Sequence, residues 1–334
     1  MGNVISDINN DGNADIISLD MLSENIETLK SSGTEYNYPI FHNQLRNGYE
    51  PQFMQNTLHL NLGNQKFAET AFLSGISATE WSWSPLAADF DNDGHKDLYI
   101  TNGIQGATND MDFVNFISNE SIQKRLGKGM QSEELAFINE LPEKKTTNYF
   151  YKNTGNASFQ DVSNIWSTAP SSFSNGAAYG DLDSDGDLDI VVNNVNQDAF
   201  ILENTTNTSE NPSNYIQLHF KGSTKNTFGI GAKIQVYTKE ETQFFENYTT
   251  QGFLSAVPPS IHAGLGTYTQ LDSLKVIWVD GKHQTLHNIP ANQAITLDYT
   301  AAQGDYYKQQ HITCLLYTSP SPRDQRGSRM PSSA

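Results

Sequence analysis

The chain has 334 residues, a formal net charge of −18 at pH 7 and 37% hydrophobic residues. This length suffices for two domains with their own cores, and no apolar run approaches the roughly eighteen residues of a membrane-spanning helix. The acidic balance argues against nucleic acid as a partner, because its phosphates are bound through basic patches.

Near its start the chain has an acidic loop at residues 7–15, and the same nine-residue pattern recurs at 89–97 and 181–189. Each loop carries oxygen-bearing side chains at positions 1, 3, 5 and 9 and a glycine at position 6. Calcium prefers six to eight oxygen ligands, which alternate side chains of a tight loop can supply, and glycine permits the sharp turn. With the backbone carbonyl of position 7 included, the candidate ligands are Asp7, Asn9, Asp11, Asn13, Asp15, Asp89, Asp91, Asp93, His95, Asp97, Asp181, Asp183, Asp185, Asp187 and Asp189.

The loops differ from the helical calcium-binding hand. That hand requires a bidentate glutamate at position 12, where these loops have Ser18, Ile100 and Val192. Short apolar runs after position 9 predict a β-strand behind each loop. In the first loop Asn9 replaces an acid, so this site has one charge fewer and is expected to bind calcium more weakly.

The three loops belong to a longer repeat. The second and third loops begin 92 residues apart, and residues 61–69 match residues 153–161 at the same offset. Repeated strands with turn signals predict a radial or stacked β architecture, although propeller blades usually have only roughly 40–50 residues. Insertions account for the extra length.

Two segments are interpreted as these insertions. Residues 20–56 are rich in Asn, Tyr and Gln and lack clear periodicity. Residues 104–147 carry apolar residues at helical spacing, in 112–117 and 132–141, and Pro142 ends the second run. The second segment is therefore predicted to be helical.

Residues 207–213 are predicted to be a linker, residues 214–300 a small β-sandwich or barrel, and residues 301–313 a tail. The glycine pairs at 229–231 and 264–266 lack the strand-to-helix context of a phosphate loop and are interpreted as turns or close backbone contacts. Alternation of apolar and polar residues predicts strands at 215–220, 233–237, 244–248, 274–278 and 294–299.

These patterns resemble those of a known family. The loops, and the stretch 80–103 in particular, are similar to the FG-GAP/VCBS calcium repeats of integrin-like β-propellers. The following residues are similar to the ASPIC/UnbV domain that ends large secreted bacterial repeat proteins and also occurs in cartilage acidic protein. The segments that carry the second resemblance are 228–234, 252–255, 262–266 and 276–282.

The resemblance implies an all-β chain in which residues 1–206 form a partial β-propeller of about three blades with a helical insertion, followed by the small β-domain. It implies a secreted or cell-surface protein with two to three structural Ca²⁺ ions. The expected role is non-catalytic binding or adhesion, with a glycan or a cell-surface protein as partner. The oligomeric state stays open.

Both ends of the chain need a separate interpretation. A propeller needs at least roughly four blades to close, so the N-terminus is expected to be truncated, and a signal peptide to have been lost with it. Residues 314–334 match the translation of a sequencing adapter and are excluded from the fold. Cys314 lies in that segment, so the remaining chain has no cysteine for a disulfide or a catalytic thiol.

No catalytic motif is recognisable in the sequence. The chain has neither the zinc-binding helix motif of metalloproteases nor the nucleophile elbow of hydrolases, and His283 and His287 are interpreted as flanking a strand. Trp81 and Trp83 are expected to pack between blades rather than to stack on sugars. Two alternatives stay open: a polysaccharide-active enzyme or its accessory subunit, with the active site outside these motifs, and a structural surface-layer component.

Overall fold

A computed structural model describes residues 1–32, 38–107, 109–120, 123–124, 143–210 and 212–309. Strands dominate, which confirms the all-β prediction. None of the described helices is long and apolar enough to cross a membrane. The predicted helical run at 132–141 and the segment assigned to the adapter lie outside the described residues.

Residues 3–202 form three sheets, with strand orders β1-β2-β4-β5, β3-β6-β7-β8-β9 and β10-β11-β12. Each acidic loop joins two antiparallel neighbours: β1 to β2, β6 to β7, and β10 to β11. The strands are β1 (Asn3–Ser6), β2 (Asp15–Ser18), β3 (Met21–Leu22), β4 (Thr57–Asn61), β5 (Phe67–Glu69), β6 (Glu80–Ala88), β7 (Asp97–Asn102), β8 (Tyr149–Asn153), β9 (Phe159–Asp161), β10 (Ser174–Gly180), β11 (Asp189–Asn194) and β12 (Phe200–Leu202).

The middle sheet is covered on both faces, in a propeller-like arrangement of small sheets. On strand β7, Leu98 and Ile100 belong to the apolar cluster shared with the first sheet. Tyr99, which points the other way, belongs to the cluster shared with the third sheet. Every residue of β7 is buried, which explains why its central residues Leu98, Tyr99 and Ile100 are all apolar rather than alternating with polar ones.

Helices occur in both predicted insertions. In the first, β3 pairs with β6, and two helices follow. In the second, Asp110 caps the helix α4, because its carboxylate accepts the backbone N–H of Asp112 and Phe113. The described helices of residues 1–206 are α1 (Ile26–Ser31), α2 (Tyr38–Arg46), α3 (Ala71–Ser74), α4 (Met111–Ile117) and α5 (Ser163–Trp166).

The C-terminal region has two further sheets, of orders β18-β13-β21 and β15-β14-β19-β20, and a small β16-β17 hairpin. One apolar cluster, which includes Ile216, Leu218, Val236 and Leu274, fills the space between the two sheets. The elements are β13 (Asn214–Lys221), β14 (Lys233–Tyr237), β15 (Thr242–Glu246), β16 (Thr250–Gln251), β17 (Ser255–Ala256), β18 (Ser260–Gly266), β19 (Gln270–Ile277), β20 (His283–Pro290), β21 (Gln293–Asp298), a 3-10 turn (Tyr299–Ala301) and α6 (Tyr306–Gln309).

The strand predictions for the C-terminal region were incomplete, because β18 and β20 were not predicted. His283 and His287 lie within β20 and do not flank a strand. The side chains of β20 are mostly polar because it is an edge strand. Gly264 and Gly266 lie in β18, and Gly264 makes a close backbone contact with Asn92, which was one of the two interpretations offered for these glycines. The ring of Trp83, on β6, lies 5.0 Å from that of Phe253, which lies between β16 and β17.

We expect the buried apolar side chains of β7 to contribute strongly to the stability of the three sheets of residues 3–202. Ile100→Ala should lower the free energy of unfolding by about 2–5 kcal/mol, because it leaves a cavity between two sheets. The matched control is Ile201→Ala, on a strand residue that is 70% exposed, where the change should stay within about 0.5 kcal/mol. Urea unfolding of both variants measures the difference; equal losses would contradict the packing described here.

Candidate metal centres and the domain that covers them

The three acidic loops have the same backbone conformation. The residue at position 4 adopts a positive φ in each loop, 57° at Asn10, 58° at Asn92 and 66° at Ser184. The glycine at position 6 does so as well, with φ between 88° and 96°. Asparagine tolerates this left-handed region better than most residues, so the sequence also encodes the turn at position 4, a signal that the ligand pattern alone did not use.

The carboxylate at position 1 is held by the backbone of its own loop. Its Oδ2 accepts the N–H of the position-6 glycine in all three loops, at 2.7 Å in the first two and 3.2 Å in the third. The position-5 carboxylate accepts the N–H of position 7. The backbone N–H groups of Asn13, His95 and Asp187 are therefore held against the acid two residues earlier.

The position-9 aspartate has a role that sequence reasoning missed. In the second loop, Oδ2 of Asp97 accepts the N–H of Phe90 at 3.1 Å, and Oδ1 accepts that of Asn153, on strand β8, at 2.8 Å. Asp15 and Asp189 make the same pair of bonds. This residue ties the loop to the strand next to its hairpin, β4 or β8, and in the third sheet to Asn204, just beyond the end of β12.

Acid side chains converge in two of the loops. One oxygen each from Asp89, Asp91 and Asp97 lies within 4.8 Å of the others, and the same holds for Asp181, Asp183 and Asp185. In the first loop the amide of Asn9 donates to Asp11 instead, at 3.2 Å. The convergent clusters are thus the two with a full set of four acids.

Several carboxylate oxygens of these clusters are buried without a hydrogen-bond partner, among them Oδ1 of Asp91, Oδ1 of Asp181 and Oδ2 of Asp185. Buried charged atoms normally have a partner, and a set of hard oxygens around one point fits calcium. Burial raises the pKa of Asp89 and, with help from the neighbouring acids, that of Asp187 to about 7. Burial and neighbouring like charges both disfavour the ionised form of a carboxyl group and so raise its pKa.

Two lysines reach the loops. The ammonium of Lys152 bonds to the carboxylates of Asp91 and Asp93, the second at 2.8 Å. Lys96 is buried between the first and second loops, where its Nζ donates to the backbone carbonyl of Asp7 at 2.7 Å and to that of Phe244 at 3.1 Å. Burial lowers the pKa of Lys96 to about 8. Neither contact was predicted.

Comparison with protein families identifies the two parts. Residues 45–100 and 134–192 match the FG-GAP-like repeat, and residues 222–304 match the ASPIC and UnbV domain. This chain is an FG-GAP repeat protein with a C-terminal ASPIC/UnbV domain. The two FG-GAP matches include the second and third acidic loops. No curated protein matches the chain.

The FG-GAP loops are linked in series. The position-4 side chain of Asn10 donates to the carbonyl of Gly94 in the second loop, at 3.1 Å. Asn92 does the same to the carbonyl of Gly186 in the third loop, at 3.2 Å. Each loop is therefore braced by its neighbour across the stack of sheets.

The ASPIC/UnbV domain packs directly on these FG-GAP loops. His262, on β18, bonds to Asn92 Oδ1 at 2.6 Å, and the N–H of Gly266 donates to Asn92 O at 2.8 Å. Burial lowers the pKa of His262 to about 4, so this imidazole is neutral at pH 7. Gln217, on β13, donates to Asp181 in the third loop. The domain thus covers the candidate metal centres.

We expect Gly264 to be required for this docking, because a β-carbon there would lie 2.4 Å from the backbone of Asn92. Gly264→Ala should therefore lower the free energy of unfolding by about 1–3 kcal/mol through overpacking. The control is Gly180→Ala, also on a strand, where the nearest contact would be an ordinary 3.5 Å to Pro258. Thermal unfolding of both variants tests the interface; an unchanged melting temperature for Gly264→Ala would argue against it.

Proposed function

We propose that this protein is a secreted or cell-surface module that binds calcium through its FG-GAP loops and acts without catalysis. The observation that carries the proposal is the third loop, where Asp181, Asp183 and Asp185 converge and leave buried oxygens without partners. FG-GAP and ASPIC/UnbV families are typically non-catalytic. A surface for glycan or protein ligands fits such a module, and its acidity disfavours nucleic acid.

In this proposal calcium has a structural role. Each ion would neutralise acids that otherwise repel one another at the junction between the FG-GAP sheets and the ASPIC/UnbV domain. The ligands would be the predicted side chains, with the position-7 carbonyl completing the set. Because Gln217 and Asn207 contact Asp181 and Asp187, order in the third loop would be transmitted to the second domain.

We also propose how the sheets are divided between the two domains. The three sheets of residues 1–206 would be propeller blades, and the two sheets of residues 214–300 would form the sandwich or barrel of the ASPIC/UnbV domain. The predicted linker at 207–213 begins with Asn207, whose backbone N–H donates to Asp187 at 2.9 Å. Its first residue would therefore be anchored to the third blade.

The third loop provides the direct test of calcium binding. Asp183→Asn with Asp185→Asn removes two charges but keeps an oxygen for the backbone bonds of the loop. We expect calcium to raise the melting temperature of the wild type and to do so much less in this variant, with little change in the absence of calcium. Asp189 is unsuitable, because both of its oxygens accept backbone N–H groups.

Calorimetric titration of the whole chain with calcium chloride, combined with thermal unfolding, measures this difference. The control is Glu240→Gln with Asp272→Asn, which removes two charges from exposed sites in the ASPIC/UnbV domain. Equal losses of stability with and without calcium in the loop variant would contradict a metal centre there.

Calcium binding should also depend on pH. Because burial and the neighbouring Asp185 carboxylate raise the pKa of Asp187 to about 7, this carboxyl group takes up a proton as the pH falls through that value. The proton competes with the cation, so we expect the calcium Kd to be about tenfold weaker at pH 5.5 than at pH 7.5. Asp187→Asn should reduce this dependence; the same pH dependence in both proteins would contradict the assignment.

A further inference from the structure

A lysine side chain from a neighbouring strand reaches the acids of the second FG-GAP loop. Lys152, on strand β8, places its ammonium on the carboxylates of Asp91 and Asp93, which are positions 3 and 5 of the loop. Its side chain is 31% exposed, and the ammonium lies 6.0 Å from the ring of Trp166. These contacts hold the lysine in the loop rather than in open solvent.

The strand registers show that this lysine is particular to the second loop. Leu98, the residue after the position-9 aspartate, pairs with Tyr151, so Lys152 follows one step along β8. In the third sheet Ile190 pairs with Leu202, which puts Glu203 at the equivalent place. In the first sheet Ile16 pairs with His59, which puts Leu60 there.

The two carboxylates that bond to Lys152 are ones that a calcium ion would need. An ammonium group offers three N–H donors and a single charge, enough to offset part of the repulsion among four aspartates. Calcium must displace it and also break two charge-assisted hydrogen bonds, which are about twice as strong as neutral ones. The second loop therefore binds calcium more weakly than its four aspartates suggest.

We propose that Lys152 is an internal counter-ion that takes the place of calcium in the second loop, so that this loop stays without the ion at calcium concentrations that fill the third loop. The inference rests on the proposed calcium function and changes its outcome: fewer ions bind than there are acidic loops. The second loop belongs to the middle sheet of the stack. The middle sheet of the FG-GAP region is thus kept ordered without calcium, while the third loop responds to the ion.

The first experiment is calorimetric titration of the whole chain with calcium chloride, for the wild type, Lys152→Met and the control Lys66→Met, which alters an exposed lysine outside the loops. We expect Lys152→Met alone to bind one additional ion, with a Kd at that site at least about tenfold tighter than in the wild type. Without calcium it should melt at a lower temperature than the wild type, and calcium should restore its stability. If Lys152→Met folds only with calcium, that result also supports the inference.

The reciprocal variant is Glu203→Lys, which gives the third loop the lysine that the second loop has. It should weaken calcium binding to that loop by about tenfold or more. Glu210→Lys makes the same charge change at an exposed position outside the loops and should have little effect. An equal effect of both variants would mean that the general charge, and not the position, is responsible, and would overturn the inference.

Failure of the inference is distinguishable from failure of the proposed function. If the wild type binds calcium and Lys152→Met shows the same number of ions and the same affinities, the counter-ion role is overturned and the calcium function stands. If the wild type and Lys152→Met both fold but bind no calcium, the calcium function is overturned and the inference with it.

Discussion

The architecture of the FG-GAP region depends on one kind of contact, the aspartate that ends each acidic loop and accepts two backbone N–H groups. Asp97 joins the turn of its own hairpin to the beginning of the next repeat motif, at Asn153. Charged acceptors make stronger hydrogen bonds than neutral ones, and the contact is made by buried groups. In each sheet a side chain of the loop therefore holds the chain segment next to the hairpin, in addition to the hydrogen bonds between the strands.

The same arrangement concentrates negative charge at a domain junction. Carboxylates are gathered between the FG-GAP sheets and the ASPIC/UnbV domain, where some, such as Asp89 and Asp97, are buried and their mutual repulsion is less screened than in water. The chain balances part of it with two lysines that differ in kind. Lys96 is buried and bonds mainly to carbonyl oxygens, whereas Lys152 bonds to carboxylates. A divalent cation is suited to neutralise the negative charge that the two lysines leave on the carboxylates.

The sequence predicted what is local and missed what is distant. The loop pattern, the strands after it and the five strongly alternating C-terminal strands follow from residues within a short window. Strand β20 was missed because polar residues fill much of an edge strand, and β18 because its glycines suggested turns. Gly264 must lack a side chain because it packs against the backbone of Asn92, about 170 residues earlier in the chain. No local pattern carries that information.

The contact between Asn92 and His262 has a consequence for the biosynthesis of the chain. The two residues are 170 positions apart, and chains are synthesised at about 5–20 residues per second with N-terminal parts folding first. The second acidic loop thus forms and stays uncovered for many seconds before the strand that covers it leaves the ribosome. During that interval its acids face solvent. Lys152, on strand β8, leaves the ribosome before β18 does and can contact Asp91 and Asp93 first.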